Sequence, residues 1–206
     1  MVKYIYYTFE ISIFSLIIGI SIGSIIAAFT YMNIGFFKCI SKIWISFFRG
    51  TPLIAQLFFF YFGVAQVIPS LRSMTPIVAA IITIGFNSSA YMAEGIRGAL
   101  ISVDKGQVEA YLSLGMNKWQ GFRYIIYPQA IRVAIPSLFN SLSDIVKGSS
   151  LAFTIGVTEI MATAQMEGAS NYRFLESYTA VILLYWIISI GLTYIQDILE
   201  RRLSIY

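Results

Sequence analysis

The chain has no histidine and a single cysteine among its 206 residues. Without histidine it lacks the commonest metal ligand and the side chain that most often moves protons near neutral pH. One thiol, Cys39, cannot close an internal disulfide or build a thiolate cluster. It reads as a small apolar residue. Charge is scarce as well. Asp, Glu, Lys and Arg supply 12% of the residues against 58% hydrophobic, about half the charged share of a soluble domain. There is no G-x-x-x-x-G-K-[S/T] run, so the chain lacks that phosphate cradle.

What the chain does have is long apolar runs. A bilayer crossing takes about 20 apolar residues, and several such runs are present. Residues 1–206 read as one all-α, polytopic membrane domain with no room for a second, soluble one. The net charge of +4 points to topology, because the basic residues cluster in loops between apolar runs. No nucleic-acid partner is expected.

Five spans are predicted, at about 11–32, 52–69, 74–93, 128–146 and 177–196. Lys3 before the first run is compatible with a signal peptide. The run is longer than a usual signal core and lacks a clear cleavage site, which favours an uncleaved span. Residues 36–48 have helical spacing with Lys38 and Lys42 on one side, and Trp44 suited to a boundary. They predict an amphipathic helix at the membrane interface. Arg49-Gly50 should break it, with Thr51 capping a new helix and Pro52 at its first position. Glu94 and Arg97 are expected to mark the exit of the third span. Residues 148–175, rich in Gly and Ser, are expected to be irregular.

Charge asymmetry gives the orientation. Segments 33–50, 94–132 and 197–206 hold Lys38, Lys42, Arg49, Arg97, Lys105, Lys118, Arg123, Arg132, Arg201 and Arg202. The opposite set holds only Lys3, Arg72, Lys147 and Arg173. The imbalance places the N-terminus outside and the C-terminus in the cytoplasm. The loop at about 104–125 is then cytoplasmic. In it, Gly115 suits a left-handed helix end and Asn117 can cap a second short helix. Val108, Leu112, Trp119 and Phe122 would be exposed in a free loop. That suggests a partner groove or a helix lying on the bilayer surface.

Glu109-Ala110-Tyr111-Leu112-Ser113-Leu114-Gly115, followed by Ile125-Ile126-Tyr127-Pro128, resembles the "EAA" loop of ABC-importer permeases. That pattern is E-A-A, three residues, G, nine residues, then I-x-L-P. Tyr111 stands for the third Ala and Tyr127 for the Leu. Four further blocks are similar to the polar-amino-acid branch: Arg49-Gly50-Thr51-Pro52 with Gln56-Leu57-Phe58-Phe59; Ala90-Tyr91-Met92-Ala93-Glu94 with Arg97-Gly98; Pro128-Gln129-Ala130 with Pro136; and Lys147-Gly148-Ser149-Ser150-Leu151-Ala152 with Ile155-Gly156-Val157. The resemblance implies an ABC type I importer (MetI-like) transmembrane domain in a bacterial inner (cytoplasmic) membrane. Its implied partners are a cytosolic ABC ATPase dimer, a second permease copy or sister permease, and an extracytoplasmic amino-acid-binding protein. The chain itself would bind no cofactor and do no catalysis, ATP-Mg being used by the ATPase. Glu109, Ala110, Leu112, Gly115 and Trp119 would couple to that ATPase.

A substrate path is sought among polar groups in otherwise apolar helices, since these are costly in lipid. Asn87, Ser88 and Tyr91 lie on the third span. Asn140, Ser141, Asp144, Lys147 and Ser150 lie on the fourth, and positions 140, 144 and 147 share a helix face. Asp144 and Lys147 could hold the two charges of an amino acid, or simply pair with each other one turn apart. In relatives carrying basic amino acids, carboxylates are expected at the positions of Ser141 and Gly148. Neither is acidic here, so a neutral or dipolar substrate such as cystine is expected, with polar (glutamine, glutamate) or basic amino acids as alternatives. A secondary transporter would show an internal repeat, and an intramembrane enzyme a nucleophile with a base. Neither signature is found. Only the loop motif argues against a channel subunit.

Overall fold

The structure is a computed structural model describing residues 2–203. Among these residues every regular element is helical: α1 (Ile5–Tyr31), α2 (Gly35–Gly50), α3 (Leu53–Phe58), α4 (Ala65–Val67), α5 (Pro76–Ser102), α6 (Lys105–Ser113), α7 (Lys118–Gly121), α8 (Tyr127–Ser149), α9 (Ile160–Asn171) and α10 (Phe174–Leu203). π-helical turns join α3 to α4 (Phe59–Val64) and α7 to α8 (Phe122–Ile126), and a 3-10 stretch (Ser150–Ile155) follows α8.

Three helices are long and apolar enough to cross a bilayer: Ile5–Tyr31, Pro76–Ser102 and Phe174–Arg202. Two bent pairs qualify jointly, Gly35–Gly50 with Leu53–Val67 at 108° and Lys118–Ile155 with Ile160–Asn171 at 52°. The count is therefore three, or five if each bent pair is one span. Within the segment expected at 52–69 the helical run is Leu53–Val67, about 22 Å long at about 1.5 Å per residue, and it qualifies only together with α2.

α1 packs on α5 through small residues. Ser12, Ser15, Gly19, Gly23 and Ala27 are buried on one stripe of α1. A Cβ on Gly23 would come within 3.0 Å of Ser89 O and 3.1 Å of Ala93 N, so the backbones approach as closely as glycine allows. Ser15 Oγ donates to Ile81 O at 3.0 Å, and Gly85 lies on Ile18. Contacts at 15 with 81, 18 with 85 and 23 with 93 mean that α1 and α5 run parallel. Gly95 faces Ser137, and Leu100 lies beside Ala130, so α8 is antiparallel to α5. The ends of α1 and α5 and the start of α8 share one end of the bundle. Because α1 and α5 are parallel, the chain between them must return across the bundle.

Glu94 and Arg97, expected at the exit of the third span, pair with each other inside α5 at 2.7 Å, and the helix runs on to Ser102. Two expectations are corrected. Thr51 does not cap α3. Its hydroxyl donates back to Phe47 O at 2.8 Å, closing α2, and Pro52 precedes α3 in an extended conformation. Residues 148–175 are not irregular. They carry the 3-10 stretch and α9, whose N-cap Glu159 accepts from Ala162 N at 2.9 Å. Glu159 is fully buried, and Tyr185 of α10 donates its hydroxyl to the second carboxylate oxygen at 3.1 Å. Satisfying both oxygens is what makes the buried carboxylate tolerable and fastens α9 to α10.

Candidate functional site

Two regions hold the sequence-selected residues. The first is the loop between α5 and α8. Asp104 accepts from Gly106 N at 2.7 Å and starts α6. α6 ends at Gly115, whose φ of +72° is the left-handed conformation that glycine adopts without strain. Asn117 and Gln120 then form a reciprocal capping box with two 2.9 Å bonds, starting α7.

The loop has its own small core. Tyr111 is buried with Leu100, Ile126 and Ala130, and Val108, Met116 and Phe122 pack against them. Val108 and Phe122 are thus half-buried inside the loop rather than free on its surface. Tyr111, the departure from the usual Ala, lies directly on Gly121, where any Cβ would clash with its ring. What remains outside is Leu112, Leu114 (79% exposed), Trp119 (68% exposed) and Tyr124, with Trp119 stacked on Phe122. Glu109 and Ala110 are exposed on the same loop, and Glu109 has no ion-pair partner among the described residues. A compact base with an apolar crown is suited to docking on another protein.

The second region is a partly open groove of about 260 Å³ between α3, α5 and α8. It brings together Asn87, Ser88, Tyr91, Ser141 and Asp144 beside Leu53, Ile84 and Ile145. Asn140 and Lys147 are exposed on α8 and do not line it, nor does Ser150, whose hydroxyl donates to Lys147 O at 2.6 Å. Asp144 and Lys147 form an exposed ion pair at 2.8 Å.

Gln56, which belongs to one of the blocks that carry the resemblance, is not among the expected site residues. It is buried, and its amide donates to Phe48 O, Thr51 O and Thr51 Oγ1 at 3.1, 3.1 and 2.7 Å. Asn87 Nδ2 donates to Phe48 O at 2.9 Å and to Gln56 Oε1 at 3.0 Å. This network satisfies the backbone carbonyls freed where α2 breaks into α3. The signal was available as a lone Gln in an apolar run, the kind of residue that must find partners. Arg49 adds a cation–π contact, 5.4 Å from the Tyr91 ring centre.

Residues 19–205 match the family described as binding-protein-dependent transport system inner membrane components. The chain belongs to this family. A probable amino-acid ABC transporter permease protein of Vibrio harveyi is 43% identical over 204 residues, covering 99% of this chain and 92% of the relative. The glutamine transport system permease protein of Escherichia coli (strain K12) is 39% identical over 199 residues, covering 96% and 90%. The L-cystine transport system permease protein TcyB of Bacillus subtilis (strain 168) is 36% identical over 204 residues, covering 98% and 86%. Among solved structures, an amino acid ABC transporter crystallised with histidines superposes with a TM-score of 0.87 at 32% identity, covering 98% of this chain and 96% of that one. The inward-facing MetNI methionine ABC transporter matches with a TM-score of 0.80 at 20% identity, covering 98% and 95%, which shows the shared fold. This permease is an all-helical, MetI-like membrane subunit of an amino acid ABC importer and a non-catalytic component of it.

Proposed function

We propose that this permease carries a neutral or dipolar amino acid, with cystine as first candidate, through the groove between α5 and α8. It faces a second permease chain and docks an ATPase dimer on the α5–α8 loop in the cytoplasm of a bacterial cell. The observation that carries this reading is the gathering of Asn87, Ser88, Tyr91, Ser141 and Asp144 in one groove. An amide, hydroxyls and one carboxylate can bind an ammonium group and hydrogen-bond a polar side chain. Ser141 and Gly148 add no carboxylate for a cationic side chain. One relative is named for L-cystine and another for glutamine, which supports a neutral or dipolar substrate and makes glutamine the alternative.

The exposed Leu112, Leu114 and Trp119 support ATPase docking, because apolar surface of this kind at a loop tip favours burial. The chain would bind no nucleotide, ATP-Mg being held by the ATPase, and an extracytoplasmic binding protein would deliver the amino acid. The test is uptake of labelled cystine in cells carrying the complete transporter, competed by a panel of amino acids. Competition by cystine and by glutamine-like residues is the expected outcome. Strong preference for arginine or lysine would overturn the substrate assignment.

A further inference from the structure

A groove of about 600 Å³ opens between the C-terminal end of α1, α2 and the C-terminal half of α5, apart from both regions above. Tyr31, Lys38, Lys42, Ser46, Glu94 and Arg97 line it. Its charges are unbalanced. Glu94 is taken up by Arg97, which donates to both carboxylate oxygens at 3.1 and 2.7 Å. Lys38 Nζ donates to the neutral Asn33 Oδ1 at 2.6 Å, at the turn between α1 and α2. Lys42 has neither an ion pair nor a hydrogen bond among the described residues. Two ammonium groups therefore face the groove without an ion pair among the described residues.

The rim is apolar. Ile101 lines the groove and is exposed, and Met32 and Ile34 are exposed at the α1–α2 turn. α2 itself is amphipathic. Phe36, Ile40, Ile43 and Phe47 form an exposed apolar face roughly opposite Lys38 and Lys42. The part of α2 that carries Lys38 and Lys42 lies beside Glu94, Arg97 and Ile101 near the C-terminal end of α5, and an amphipathic helix there suits the boundary between hydrocarbon and headgroups, which puts the two lysines at headgroup depth.

We propose that this groove binds the headgroup of an anionic phospholipid, its phosphate held by Lys38 and Lys42 and its acyl chains lying on the apolar rim. A basic pocket between membrane helices, open to an anionic leaflet, has the charge and the depth for such a headgroup. The two lysines come from one helix and the walls from two others, so an occupied groove bridges α1, α2 and α5. The site requires only that the chain sits in a bilayer, and it is independent of which amino acid is carried.

The test uses the permease purified in mild detergent, with lipid retention read by native mass spectrometry. Phosphatidylglycerol and phosphatidylcholine of equal chain length are offered together. Wild type retains phosphatidylglycerol preferentially. K38Q/K42Q lowers that preference roughly thirtyfold, as expected for two basic groups near an anionic surface. K38R/K42R keeps it, and so does R72Q/R173Q, which removes the same charge elsewhere. Ser46→Trp, which fills the groove and leaves its charge, also lowers retention. Equal retention of the two lipids by wild type overturns the proposal, as does an unchanged preference in K38Q/K42Q. Displacement of the lipid by millimolar inorganic phosphate would make the ligand a soluble anion and overturn the lipid assignment. So would zero-length cross-linking of Lys42 to a second permease chain, which would make the groove a subunit interface.

Discussion

Asn87 Nδ2 gives hydrogen bonds to Phe48 O and to Gln56 Oε1 across the α2–α3 break, so the amide oxygen is left to meet a solute. Gln56, which makes four bonds in this network, is the structural member of the pair. Gln56→Leu should lower the melting temperature of the purified permease, through a loss of about 1–3 kcal/mol for buried groups left unpaired. Asn140→Ala, at an exposed position, should leave it unchanged. Asp144 and Lys147 form an exposed pair, and such pairs contribute about 0–1 kcal/mol. Neither Asp144→Asn nor Lys147→Gln should therefore unfold the chain. Asp144 lines the groove and Lys147 does not. Asp144→Asn should raise the half-saturation concentration for uptake about tenfold or more, the value of a lost charge-assisted hydrogen bond, and Lys147→Gln should change it far less. Equal effects of the two would mean that the ion pair acts only as a unit holding α8.

The α5–α8 loop is the element whose local chemistry was most readable. Asn117 with Gln120 three residues on is a capping box in sequence and in space, and Gly115 is left-handed where a helix end was expected. Val108 and Phe122 were misjudged because their partners, Leu100 and Ala130, come from the two long helices that flank the loop. α9 was missed for a related reason. Its cap, Glu159, is stable only because Tyr185 reaches it from 26 residues away. The Ser15-Gly19-Gly23 spacing was visible in the sequence, and small residues every fourth position signal close helix packing. Gly23→Leu should accordingly drive α1 from α5 and sharply reduce the yield of folded permease, overpacking of this kind costing about 1–3 kcal/mol or more. The loop itself should tolerate change without unfolding the bundle. Glu109→Lys and Gly115→Pro should insert normally, co-purify with less ATPase and lose uptake. Normal uptake in both variants would remove the loop from the coupling role.

At the scale of the whole molecule, packing and charge give two independent lines on topology. Parallel α1 and α5 require the segment between them to carry the chain back, and the structure between them is α2 followed by Leu53–Val67, bent by 108°. A bent helix pair thus takes the place of one straight span, which hydropathy along the sequence cannot distinguish from a single short helix. The packing fixes relative direction only. Absolute direction comes from Lys and Arg, which favour segments 33–50, 94–132 and 197–206, the set that includes the α5–α8 loop, by ten to four. Arg72, before α5, and Lys118, in the loop after it, should then lie on opposite sides of the membrane. The prediction is tested with single cysteines in a Cys39→Ala background, since Cys39 is exposed and would react itself. A membrane-impermeant maleimide added to intact cells should label Arg72→Cys and leave Lys118→Cys unlabelled until the cells are opened. Labelling of position 118 from outside would invert the bundle. The docking loop would then face away from any cytosolic ATPase, and the import reading would fail with it. Labelling of both positions from the same side would instead mean that α5 does not cross the bilayer, despite its 27 residues and its buried packing against α1.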